Sequence, residues 1–160
     1  MIELGIVNKS GNSLPEYKTI GSSGMDIMAA FLPDYGILIQ PGERMLIHTG
    51  LYFEIPDDYE IQVRSRSGLS LNRGLIVLNE PATIDSDYRG ELGVILYNAS
   101  DREQLIENGD RVAQIVLMKV EKIKFNVKEE ITEDTDRGSG GFGHTGEHWY
   151  SWRWKKNGRE

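Results

Sequence analysis

The chain has 160 residues, enough for one domain of ordinary size that needs no disulfide or metal staple. It is 39% hydrophobic and 27% charged with no cysteine, which reads as soluble and globular and excludes disulfides, cysteine zinc sites and a cysteine nucleophile. The formal net charge of −7 excludes a general attraction for nucleic acid, so a bound anion must be held by local arginines and backbone N–H groups.

The first five residues, Met1 to Gly5, carry no basic region followed by an apolar core. No run approaches the ~18 apolar residues of a membrane span. The expectation is a cytoplasmic protein that binds neither membrane nor nucleic acid.

The dominant period is two. Met45, Ile47, Leu51, Phe53 and Ile55 alternate with Arg44, His48, Tyr52 and Glu54, although Leu46 blurs the pattern. Ile61 to Arg64 alternates, as do Leu92 to Val94 and Ile123 to Val127. Leu75 to Leu78 and Ile115 to Met118 are continuous apolar runs, the pattern of strands buried on both faces. Turn residues fall between these segments at Pro33–Gly36, Pro41–Gly42, Pro56–Asp58, Asn72–Gly74 and Asn108–Asp110. Only Ser67 to Asn72 reads as a turn of helix. Many short strands at even spacing predict an all-β protein, a sandwich or barrel of jelly-roll type. The organisation expected is a β-barrel over residues 1–131, a flexible glycine-rich arm over 132–146 and a Trp-rich basic extension over 147–160. That extension holds all three tryptophans and four basic residues.

Three motifs invite chemistry they do not support. Gly138 to Gly143 fits G-x-G-x-x-G, but no strand, helix and distal acid surround it as a dinucleotide site requires. Asp85 and Asp87 suggest a calcium loop, yet Arg89 and Leu96 stand where oxygen ligands belong. The three histidines, His48, His144 and His148, lie too far from one another and from useful carboxylates to form a ligand set. Each remaining motif has a plain reading: Asp85 as a turn aspartate, Arg64 and Arg66 as a solvated strand end before a helix, Gln114 as a strand-edge glutamine. The chemical readings are a carboxylate that activates water, and two arginines on the same side of a strand end beside free helix N–H groups, a natural phosphate site.

Taken in order, five segments change that balance: Ser23 to Ala30, Arg66 to Leu69, Asn79 to Glu91, Gly109 to Gln114, and Arg137 to Gly146. Their order and spacing resembles the five motifs of the trimeric dUTP diphosphatase family. The resemblance implies a jelly-roll-like barrel, a homotrimer whose sites combine motifs of more than one subunit, and hydrolysis of dUTP to dUMP and pyrophosphate with Mg²⁺. Asp85 would match the general base. Tyr88 would match the aromatic that packs on deoxyribose and rejects a 2′-hydroxyl. Asn79, the backbone of Thr83, Ile84 and Asp85, and Gly93 would line the uracil and sugar pocket. Arg66, Ser67 and Gly68 would hold phosphates with Gln114 nearby, and Asp26 would reach the metal through water. Arg137 would grip the terminal phosphate, Phe142 would stack on uracil, and Gly143, His144 and Thr145 would close over the phosphates.

Three departures from the family pattern stand out. Ala82 replaces a usual Gly, at a cost of up to ~1 kcal/mol if the position needs a positive φ. His144 replaces a commoner Ser. The chain also continues past the arm, from Glu147 to Glu160. Two rival functions are weighed against the resemblance. A dCTP deaminase, which shares the fold, would place a catalytic glutamate in the strand after the acidic turn, where this chain has Val94 to Tyr97. A non-catalytic binding module would not need Asp85.

Overall fold

A computed structural model describes residues 2–31, 36–131 and 135–141. These hold eleven strands and one helix, and the chain divides into two compact units, Met1–Lys122 and Ile123–Glu160. All strands lie in the first. They are β1 (Gly5–Asn8), β2 (Met25–Met28), β3 (Gly36–Ile39), β4 (Arg44–His48), β5 (Leu51–Glu54) and β6 (Tyr59–Arg64). After α1 (Ser67–Arg73) follow β7 (Leu75–Val77), β8 (Ala82–Ile84), β9 (Gly93–Asn98), β10 (Gln104–Glu107) and β11 (Arg111–Lys119).

The pairing is nested. β2 pairs with β11, β3 with β10 and β4 with β9, all antiparallel, as in one long hairpin rolled upon itself. β6 inserts beside β11 and carries β8, giving the order β2-β11-β6-β8, while β7 flanks β9 and β1 pairs with β5. Rolling a nested hairpin closes the sheets around one core, the jelly-roll solution to burying a single face of each strand. Every sheet contributes to that core: Ile27, Ile39, Ile47, Phe53, Ile61, Leu75, Leu96, Ile106 and Ile115 are all buried there.

The period-two reading of Met45 to Ile55 therefore resolves into β4 and β5, with Ile47, Leu51, Phe53 and Ile55 inward. The helical turn is α1, which ends at Gly74 in the left-handed region (φ 66°). Two readings differ from the structure. Leu75 to Leu78 is not buried on both faces: Leu75 and Val77 are buried, but Leu78 is exposed. Ile123 to Val127 forms no strand, because no segment among the described residues offers it a ladder. Ile123, Phe125 and Val127 are 77%, 82% and 92% exposed.

Buried polar groups are satisfied. Asn98 donates to the carbonyls of Ile39 and Arg102, both at 2.8 Å, and accepts from the Ser100 amide at 2.9 Å, tying β9 to β3. No helix among the described residues is long and apolar enough to cross a membrane.

Candidate active site

The outward face of the β4–β9 pair carries a cleft. Residues two apart on a strand share a face, and in this register Leu46 lies across from Ile95 and His48 across from Gly93. Glycine at 93 leaves the cleft floor open: a Cβ there would meet Leu46 Cδ1 at 2.8 Å. The cleft, about 380 Å³, is completed by Asn79, Ala82, Thr83, Ile84, Asp85, Tyr88 and Glu91. That volume suits a small organic ligand, and the mixture of apolar walls with a few convergent polar groups is the usual make-up of such sites.

The strand β8 forms one wall. It pairs with β6 on one side only and is a sheet edge, so the backbone donors and acceptors of its other side have no ladder partner among the described residues. Between β7 and β8 the chain turns through Asn79, and the Glu80–Pro81 peptide is cis. Ala82 is an ordinary strand residue paired with Val63 and packed against the core, so the alanine carries no positive-φ cost.

The acidic turn follows β8. The Tyr88 amide donates to the Asp85 carbonyl at 3.1 Å, and the Arg89 guanidinium donates to the carbonyls of Ser86 at 2.6 Å and Tyr88 at 3.0 Å. Asp85 is exposed at the cleft mouth. Tyr88 folds back and donates from its hydroxyl to the Glu91 carbonyl at 2.9 Å.

Glu91 ties this turn to the β4–β5 corner. Its Oε1 accepts from the amides of Thr49 at 3.1 Å and Gly50 at 2.8 Å, while His48 Nδ1 donates to Oε2 at 3.0 Å. Burial alone pushes the Glu91 carboxyl up. The hydrogen bonds from Gly50, His48 and Thr49 and the charge of the imidazole outweigh that, and the carboxyl sits below its ordinary value.

A second cluster stands at one end of the β2-β11-β6 rows. Arg66 Nε donates to Asp26 Oδ1 at 2.8 Å and its Nη1 to the Arg111 carbonyl at 2.9 Å. Arg111 Nη1 lies 3.7 Å from Asp26 Oδ2. Gln114 Nε2 donates to the Ser65 carbonyl at 2.8 Å, and glycine at 24 makes room for it, since a Cβ there would meet Gln114 Oε1 at 2.6 Å. Ser67 and Gly68 are exposed in the first turn of α1, whose start has no side-chain cap.

Arg64 does not join Arg66, against the alternation expected from sequence. It donates to Gln62 Oε1 from both Nε (3.3 Å) and Nη2 (2.6 Å). The reason is local: β6 ends at Arg64 and the chain turns into α1 three residues later, so strand alternation stops.

The structure thus gathers Asn79, Thr83, Ile84, Asp85, Tyr88 and Gly93 in one cleft. It sets Asp26, Arg66 and Gln114 in a separate cluster. Arg137 belongs to the second unit, where its Nε donates to the Gly140 carbonyl at 2.9 Å. Phe142, Gly143, His144 and Thr145 lie outside the described residues. Leu46, His48, Glu91 and Ile95 line the cleft but were not singled out as site residues from sequence. The available signal was the apolar Leu46 on the otherwise polar face of β4.

Among the described residues, no group of three or more His, Asp and Glu side chains could hold a metal ion. The oxygens of Asp26 face two guanidiniums. A cation near this cluster would therefore have to be held mainly by a ligand's own oxygens.

Fold and site together define a small jelly-roll protein with a cleft of about 380 Å³ that is lined in part by an exposed carboxylate, Asp85. A family model described as dUTPase matches residues 11–146. The chain is 51% identical over 145 residues to the deoxyuridine 5′-triphosphate nucleotidohydrolase of Finegoldia magna, a match covering 91% of this chain and 99% of that one. It is 52% identical over 139 residues to the protein of the same name from Chlamydia muridarum, covering 87% and 94%. Among solved structures, a mutant dUTPase of Staphylococcus bacteriophage 80alpha with dUpNHpp superposes with a TM-score of 0.78 at 25% identity, over 91% of this chain and 99% of that one. This chain belongs to the dUTPase family.

Proposed function

We propose that this protein hydrolyses dUTP to dUMP and pyrophosphate as a homotrimer, using Mg²⁺. The observation that carries the reading is the cleft itself: Asp85 stands at its mouth, beside the free edge of β8 and the ring of Tyr88. A β-strand edge offers fixed N–H and C=O groups, well suited to pair with the edge of uracil. Asn79, Thr83 and Ile84 supply that wall, and Gly93 leaves room for the base and sugar. Tyr88 packs on the deoxyribose, where a 2′-hydroxyl would collide.

Asp85 takes a proton from a water, whose oxygen attacks the α-phosphorus. The bond from that phosphorus to the bridging oxygen breaks, and pyrophosphate leaves. Charge neutralisation and positioning matter more here than covalent help. Arg66, the exposed N–H groups at Ser67 and Gly68, and Gln114 hold phosphates. Arg137 grips the terminal phosphate, Phe142 stacks on uracil, and Gly143, His144 and Thr145 close over the chain of phosphates. Mg²⁺ would supply positive charge to the triphosphate oxygens when bound, and Asp26 is the residue that would help to hold it. A dUTPase from phage phi11 of S. aureus, 25% identical with a TM-score of 0.70 over 81% of this chain and 98% of that one, was solved for its coordination of a structural Mg(II) ion.

A trimer accounts for two features. The phosphate cluster and the cleft occupy separate places, as sites combining residues of different subunits require. The exposed stripe of Ile123, Phe125 and Val127 has the alternation of a strand that needs a partner. The proposal includes a cytoplasmic location. In domain terms, 1–131 is the barrel, 132–146 the closing arm and 147–160 an extension beyond the family match.

Product analysis tests this reading. Incubation with dUTP should yield dUMP and pyrophosphate in equal amounts. Ammonia release from dCTP, with no hydrolysis of dUTP, would overturn it.

A further inference from the structure

We infer that His48 is a positioning residue of the cleft: by donating to Glu91 it holds the Asp85–Glu91 turn against the β4–β5 corner and sets where Tyr88 stands. The inference rests on the proposed dUTP hydrolysis and extends it to a residue outside the five motif segments.

The connections are short and continuous. His48 Nδ1 reaches Glu91 Oε2 at 3.0 Å, and Glu91 Oε1 takes the amides of Thr49 and Gly50. The main-chain oxygen of the same Glu91 takes the Tyr88 hydroxyl at 2.9 Å. Three donors from the corner therefore meet one carboxylate, and its backbone anchors the ring that faces the ligand. Two of those donors are backbone groups of fixed position. The imidazole is the third, and it alone among them is a side chain that also lines the cleft.

Glu91 accepts in its ionised form, so His48 must present Nδ1–H to it in either charge state. Among the described residues, the ionisable groups sharing the cleft with His48 are Asp85, Tyr88 and Glu91 from the turn. β8 and β9 contribute Ala82, Thr83, Ile84, Gly93 and Ile95, none of which titrates.

The effect should fall on KM more than on kcat. Tyr88, at the ligand's sugar, is bonded to Glu91. Asp85 lies at the other end of the turn, next to β8.

The test is steady-state dUTP hydrolysis by the full-length wild-type protein, His48→Ala and His48→Gln. His48 is more than half exposed, so both variants keep the fold. His48→Ala should raise KM about 3- to 10-fold, the worth of one net hydrogen bond, with kcat little changed. His48→Gln, whose amide can donate to the same carboxylate oxygen, should restore most of the loss. A wild-type KM in His48→Ala would overturn the inference, as would a glutamine variant no better than alanine. Wild-type protein inert towards dUTP would overturn the proposed function as well, a failure visible before any variant is assayed.

Discussion

Tyr88 lies folded over Gly90: a Cβ on the glycine would fall 2.3 Å from the tyrosine hydroxyl oxygen and 2.5 Å from Cζ. The ring reaches the Glu91 carbonyl only because position 90 has no side chain. Gly90→Ala should therefore push the ring off its place without unfolding the barrel, since Tyr88 is itself exposed. The expected result is a fall in kcat/KM for dUTP of about 10- to 100-fold, the scale of an ångström of misplacement. The preference for dUTP over UTP should shrink with it. Kinetics on both nucleotides check this.

Asp85→Asn should fold, bind and fail to turn over. Losing a positioned general base costs about 10²- to 10⁴-fold in kcat. Titration with a non-hydrolysable dUTP analogue should show near wild-type affinity. Turnover within a few-fold of wild type would remove Asp85 from the mechanism.

Gly93→Val should block the cleft floor while suiting the strand, because valine is a good β residue. Its Cβ would meet Leu46 Cδ1 at 2.8 Å. KM for dUTP should rise about tenfold or more, as filling a packed space forces its neighbours to shift. Leu46→Ala in the same chain should recover part of the loss.

Arg66→Met leaves the Asp26 carboxylate with Arg111 at 3.7 Å as its nearest cation. The Arg66–Asp26 pair is neither fully buried nor fully exposed, at 28% and 23%. Its loss should cost about 1–2 kcal/mol, between the surface and buried limits. Urea unfolding measures it. Adding Asp26→Asn to the Arg66→Met chain should return part of the stability.

Glu91 predicts a pH dependence of stability. Its folded pKa lies below the unfolded value near 4.5, so its contribution is present above that value and is lost as pH falls through the lower, folded one. Thermal unfolding across about pH 3 to 7 should show this loss in the wild type. Glu91→Gln should be less stable near neutrality and should lack that part of the acid slope.

The core and most strands were legible because each strand buries one face, and Ile47, Leu51, Phe53 and Ile55 announce it by alternation. Asn98 gave no such signal: its value lies in bonds to Ile39 and Arg102, set by rolling the sheet and not by any local pattern. Ile123 to Val127 read as a strand by composition, yet a strand needs a neighbour, and this chain supplies none among its described residues. The acidic turn was legible as a motif. His48 was not, because its position depends on the β4–β9 register that sets it across from Gly93. Leu46 looked like noise in the pattern and proved to be the cleft wall.

The most direct measurement of the central claim is pyrophosphate release from dUTP, dTTP, dCTP and UTP under identical conditions with Mg²⁺. Rapid release is expected from dUTP and at most slow release from the other three. In the proposed site the β8 edge would select the base and Tyr88 the sugar. Comparable release from all four, or none from dUTP, would contradict it.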